Sequence, residues 1–161
     1  MSEIKHKITL NLILLFCIFS LFTAYFIQYV LKHQPCNLCL IERIPYIASI
    51  IIILICIFSK KFEKISLIIL SLIFFSAALI SFYHFGIEQG FIQESLVCNL
   101  SEESSYLSKK ALLKQLKEVP ISCKDVTFKI FGLSLATFNI FISLILGSIT
   151  IKKFLIYEKN R

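Results

Sequence analysis

Four apolar runs constrain this chain more than any other feature. Residues 8–31 (ITLNLILLFCIFSLFTAYFIQYVL) carry no charge over 24 positions. At a rise of about 1.5 Å per residue, a helix of that length crosses a hydrocarbon core of about 30 Å. Residues 65–83 and 130–151 form two further spans of the same kind. The run at 44–59 has only 16 residues, too few for a crossing, but starting it at Leu40 brings it to 20. The first run is longer than the apolar core of a signal peptide and has no small-residue cleavage site after it, so it is expected to be retained. The expectation is an all-α integral membrane protein, a single domain over 1–161. Four transmembrane helices (8–31, 40–59, 65–83 and 130–151) form a bundle with outer loops at 32–39 and 84–129. Within the long loop, residues 101–119 (SEESSYLSKKALLKQLKEV) place acids before lysines, the order a helix dipole favours. They read either as an amphipathic helix on the membrane surface or as a solvated connector.

Composition agrees: 57% of the chain is hydrophobic, against about 45–50% in soluble domains. A net charge of +7 raises nucleic acid as a partner. The basic residues, however, cluster beside the apolar runs as membrane anchors do, and no nucleic-acid motif accompanies them. The two termini and the short 60–64 loop hold nine Lys and Arg, the 32–43 segment only two, and the six lysines of the long loop are matched by six acids. Excess Lys and Arg mark the cytoplasmic side, so both termini are expected there.

The six cysteines fall into two kinds. Cys17 and Cys56 sit mid-span, where a thiol behaves as a small hydrophobe. Cys36, Cys39, Cys98 and Cys123 all fall in the loops assigned to the outer side, the compartment in which disulfides persist. Cys36-Asn37-Leu38-Cys39 is a C-x-x-C pair, which is redox-active, half of a metal site, or a structural bridge. Zinc would need Cys98 and Cys123 as single ligands from distant points. A structural bridge closing so small a loop gains little chain entropy. Redox chemistry is therefore the preferred reading. With Cys39 opening the second helix, its sulfur would face the positive end of the dipole one turn from Arg43, both favouring the thiolate. Glu42 would oppose them if it faced the sulfur. Charges at that depth mark a functional site, or else an arginine snorkelling to the headgroups. In the later spans, Ser71, Ser76 and Ser81 are expected to allow close helix packing, and Asn139 to bond between helices.

These residues resemble the disulfide bond formation protein B (DsbB) family of bacterial inner-membrane thiol oxidases. The likeness rests on four spans, a C-x-x-C-x-x-E-R run opening the second, a cysteine pair in the second outer loop, "YHFGIEQGF" at 83–91 and "FKIFGLSLATFN" at 128–139. It departs in having no tryptophan, where members commonly carry one near "IEQG" and before "GLS". The resemblance implies a bacterial inner-membrane enzyme with cytoplasmic termini that reoxidises a periplasmic DsbA-like thioredoxin-fold oxidase. Electrons pass to a membrane quinone, ubiquinone or menaquinone. The resting bridge stays open between Cys98–Cys123 and a rearranged pair; a Cys98–Cys123 bridge in an exposed loop would be accessible to a partner. The partner's thiolate attacks Cys98, Cys123 attacks Cys36, and Cys39 emerges beside the quinone. Arg43 matches the family arginine that supports the quinone, and His84 is a candidate second donor, with Glu88 a weaker one. Alternatives are a vitamin K epoxide reductase-like oxidoreductase, whose C-x-x-C lies on a late helix, a membrane subunit with structural loop disulfides, and a metal-binding membrane protein.

Overall fold

The computed structural model describes residues 2–58, 63–93, 98, 122–124, 129–130 and 132–159. The helices are α1 (Ser2–Tyr29), α2 (Asn37–Ile41), α3 (Ile44–Phe58), α4 (Glu63–Glu88) and α5 (Leu135–Lys159), and a two-stranded ribbon, β1 (Lys129–Ile130) with β2 (Leu133–Ser134), precedes α5. Four helical stretches are long and apolar enough to cross a membrane: Lys7–Tyr29, Asn37–Phe58, Lys64–Glu88 and Leu135–Ile156. α4 packs most extensively on α5, while α3 bridges α1 and α4. The protein is a mostly helical, multi-pass membrane bundle.

One apolar core runs through the bundle, with Ile53, Leu67, Leu70 and Phe74 almost wholly enclosed. Cys17 and Cys56 lie buried in that core. Large side chains such as Phe19, Phe22, Phe58, Leu79 and Phe141 point outward, which costs heavily in water and nothing in lipid. Ala77 and Ala78 are buried on α4. On α5, a Cβ at Gly147 would stand 3.4 Å from the Phe75 ring, so small residues set that close approach. Ser71 and Ser81 are buried as expected of packing serines. Ser76 instead lies exposed and bonds the Ile73 carbonyl of its own helix at 2.8 Å.

Among the boundaries that differ from the sequence expectation, three shape the site, each for a local reason. The second span starts at Asn37, not Leu40, and breaks at Glu42 and Arg43 between α2 and α3. Pro45 causes the break: it has no N–H to give Ile41, and its ring crowds that carbonyl. Arg43 N–H bonds Leu40 instead at 3.2 Å, and regular bonding resumes with Ile47 to Arg43 at 3.1 Å. The fourth span starts at Leu135 rather than 130. Gly132, at φ +81°, turns the chain between β1 and β2, and the Ser134 hydroxyl then accepts the Thr137 N–H at 3.3 Å, an N-cap that opens α5. The third span runs past Tyr83 to Glu88, so His84 and Glu88 belong to the helix. Gly90, at φ +77°, ends it, with Gly90 N–H bonded to Ile87 and Phe91 N–H to Gly86. Ile92 folds back onto Gly86, where an added Cβ would meet it at 2.6 Å. The proposed surface helix at 101–119 lies outside the described residues.

Gly90→Ala is expected to destabilise the protein by about 1 kcal/mol, the cost of forcing a Cβ into the left-handed region. Thermal unfolding in detergent measures it, and an unchanged midpoint would mean that this turn is not what ends α4.

Candidate functional site

The breaks just described place Cys36, Glu42 and Arg43, while His84 and Asn139 come from within α4 and α5. Cys36 is the N-cap of α2, and its sulfur accepts the Cys39 N–H at 3.3 Å. The positive end of the helix therefore serves Cys36, not Cys39 as the spacing suggested. The two sulfurs face each other at 2.7 Å, both as free cysteines. His84 Nε2 lies 3.5 Å from Cys36 Sγ. The Cys39 sulfhydryl pulls the Cys36 thiol down to about 5; burial opposes this, and His84 adds to the lowering.

The turn forced by Pro45 sends Glu42 and Arg43 in different directions. Glu42 points into the bundle and is buried. Its Oε1 meets His84 Nδ1 at 2.8 Å, and its Oε2 accepts from Asn139 Nδ2 at 3.1 Å. Asn139 also donates to Ser81 at 2.7 Å and accepts from Tyr46 and Ser143. All four of its hydrogen-bonding positions are used, so it ties the α2–α3 turn to α3, α4 and α5. Arg43 instead turns toward α1, donating to Gln28 Oε1 at 2.6 Å and lying 4.9 Å over the Tyr25 ring. It does not stand beside Cys39, as sequence spacing alone implied. Glu88 also turns inward: its side chain is buried, Oε1 is 3.7 Å from His84 Nε2, and Oε2 has no hydrogen-bond partner among the described residues.

Cys98 and Cys123 form a disulfide. Both are buried, and they pack in one cluster with Cys36, Leu38 and Ile87, against Cys39 and Tyr83. The expected open, accessible bridge is thus corrected. In this apolar cluster the disulfide packs against the C-x-x-C segment rather than standing in solvent. The four loop cysteines share one end of the bundle. At the opposite end, Lys64 pairs with Glu158 at 3.0 Å.

A cavity of about 360 Å³ opens beside this cluster. Phe16, Phe19, Ala24, Ile27 and Phe138 give it apolar walls, while Cys36, Cys39, Cys123, Arg43, His84 and Glu88 all reach its polar end. A metal fits the donors poorly. Cys36, Cys39 and His84 lie within 4.8 Å of one another, but two thiolates on one zinc stand about 3.8 Å apart given Zn–S bonds of about 2.3 Å. These sulfurs are much closer than that, and Cys98 and Cys123 are spent on each other.

Sequence reasoning missed Gln28 and Tyr25 as partners of Arg43, and Tyr46 and Ser143 as partners of Asn139. Gln28 had a signal, being an amide in the last turns of an uncharged apolar span, where a polar group needs a partner. Pro45 was the other usable signal, since it separates Glu42 from Arg43.

Comparison with known proteins adds to this geometry. Residues 6–152 match the family described as Disulfide bond formation protein DsbB. An uncharacterised protein of Rickettsia prowazekii (strain Madrid E), RP370, is 32% identical over 145 residues, covering 88% of this chain and 84% of the relative. No solved structure matches. With a C-x-x-C pair and a buried loop disulfide packed together at one end of four membrane-crossing helices, the chain belongs to the DsbB family of membrane disulfide-generating oxidoreductases.

Proposed function

We propose that the protein oxidises the dithiol of a periplasmic thioredoxin-fold partner and delivers the electron pair to a membrane quinone. It would sit in the bacterial inner membrane with both termini cytoplasmic. The observation that carries this reading is the cavity whose polar end holds Cys36, Cys39 and Cys123 and whose walls are apolar. Its size falls within the usual range for small-molecule sites, about 300–1,000 Å³. The lysine-bearing ends of the helices, opposite the four-cysteine end, support the orientation.

The sulfur chemistry balances as follows. A partner thiolate attacks Cys98, the Cys98–Cys123 bond breaks, and its electron pair leaves on Cys123. Cys123 attacks Cys36 of an oxidised Cys36–Cys39 pair, and Cys39 leaves as a thiolate. The partner's second thiol displaces Cys98, which closes again onto Cys123 and releases Cys36. The partner is now oxidised, and Cys36 and Cys39 hold its two electrons. A quinone bound in the cavity supplies the two-electron acceptor that allows this pair to close again. Arg43, fixed by Gln28 and Tyr25 on the cavity wall, holds a positive charge where an acceptor oxygen gains negative charge.

Purified protein mixed with a reduced thioredoxin-like oxidase and ubiquinone or menaquinone, followed by quinone absorbance, tests the reading. Absence of partner-dependent quinone reduction with both quinones would refute it. Arg43→His is expected to raise the apparent KM for quinone about tenfold, a loss of about 1.4 kcal/mol. An unchanged KM would remove Arg43 from the acceptor site.

A further inference from the structure

We infer that His84, oriented by Glu42, is the acid–base group of Cys36, stabilising its thiolate whenever that sulfur leaves a disulfide and exchanging its proton. This deepens the proposed function and rests on it for the order of exchange, but the geometry concerns only this chain's own residues. His84 is therefore assigned to sulfur chemistry rather than to holding an acceptor.

The need comes from burial. Cys36 is 7% exposed and His84 3%, packed beside Leu38 and Ile87. A bare thiolate in such surroundings is costly unless a counter-charge or donors face it. Three groups face Cys36 Sγ: the Cys39 sulfhydryl at 2.7 Å, the Cys39 N–H at 3.3 Å and His84 Nε2 at 3.5 Å, of which only the ring can bring a positive charge. The far side of the ring decides what Nε2 can do. Glu42 Oε1 lies 2.8 Å from Nδ1, so that nitrogen keeps its proton and Nε2 is left to accept one from Cys36. Once protonated, the ring stands between thiolate and carboxylate, an alternation of charge that a buried site tolerates. Asn139 holds the other oxygen of Glu42 at 3.1 Å and is itself fixed by Ser81, Tyr46 and Ser143. His84 touches the reacting sulfur and is catalytic; Glu42 and Asn139 are positioning residues.

The titratable groups facing this pair are Cys39 from α2, Glu42 from the α2–α3 turn and Glu88 from α4, with α5 contributing the neutral amide of Asn139. Glu88 Oε1 shares Nε2 with Cys36, at 3.7 Å against 3.5 Å for the sulfur, while Glu42 alone is bonded to Nδ1, at 2.8 Å. When Cys98 attacks Cys123 in a Cys36–Cys123 bridge, the Cys98–Cys123 bond forms and the Cys36–Cys123 bond breaks. The electron pair stays on Cys36 beside the imidazolium. Where Cys36 is instead a thiol, its S–H proton passes to Nε2.

The test is the pH profile of Cys36 alkylation in the reduced, quinone-free, full-length protein, using iodoacetamide with the modified cysteine located by mass spectrometry. The midpoint, unlike the rate, does not depend on how easily the reagent reaches the sulfur. His84→Gln is expected to raise the midpoint by at least one pH unit, a tenfold loss of thiolate below it. Glu42→Gln should also move it upward, and further than Glu88→Gln does. An unmoved midpoint in His84→Gln overturns the proposal. So does a downward shift in Glu42→Gln, which would mean that Glu42 acts as a bare negative charge and not through the ring. Should His84→Gln fail to fold, the sign in Glu42→Gln decides alone. Because neither partner nor quinone is present, failure here leaves the electron route standing, and failure of quinone reduction leaves this result standing.

Discussion

Cys123→Ala is expected to abolish partner-dependent quinone reduction, by roughly a thousandfold or more, the loss typical of removing a reacting nucleophile. The reason lies in how the four loop cysteines are packed. Cys123 is paired with Cys98, shares a buried cluster with Cys36 and lines the cavity. In the proposed route it is the sulfur of the loop bridge that carries the exchange inward. Without it, Cys98 is left as a single thiol. Attack by Cys98 on the oxidised partner's disulfide then produces a mixed disulfide with no second loop sulfur to resolve it. A non-reducing gel should show a covalent adduct that disappears in Cys98→Ala/Cys123→Ala. An adduct through Cys36 would reverse the order of transfer. Cys17→Ala/Cys56→Ala is the control: both thiols lie in the apolar core, away from the site cluster, so turnover should persist.

The second large effect is on stability. Glu42→Ala is expected to cost about 3 kcal/mol. Two interhelical hydrogen bonds would not suffice for this, since such bonds in membrane bundles average only about 0.6 kcal/mol each. Most of the cost comes from what the substitution leaves behind: a buried His84 without its Nδ1 partner and an Asn139 with an unsatisfied N–H. These groups come from α4 and α5, the most extensively packed helix pair, so the penalty falls where the bundle is tightest. Unfolding of wild type and Glu42→Ala in the same detergent measures it. A loss below about 1 kcal/mol would mean that water or a rearranged side chain satisfies the orphaned groups.

Much of this molecule was legible in the chain itself, and the parts that were not have a common cause. The four apolar runs announced four membrane-crossing helices, because transfer of a helix into lipid depends on the local sum of side-chain hydropathies. The loop placement of Cys36, Cys39, Cys98 and Cys123 put all four at one end of the bundle for the same reason: which end a loop residue occupies follows from counting spans. Helix ends were read less well. Gly90, Gly132, Ser134 and Pro45 act through backbone geometry, which a hydropathy run does not register, although each is a visible signal once backbone conformation is considered.

The composition and spacing of the chain determined that it is a membrane bundle with two cysteine pairs at one end. Only the tertiary structure decided that Glu42 belongs to His84 and Asn139, that Arg43 belongs to Gln28, and that the loop disulfide is buried against the C-x-x-C pair. Hydropathy and helix signals act over a few neighbouring residues. Glu42 and His84 are 42 positions apart and Glu42 and Asn139 are 97, so their contact depends on which faces of separate helices turn toward each other.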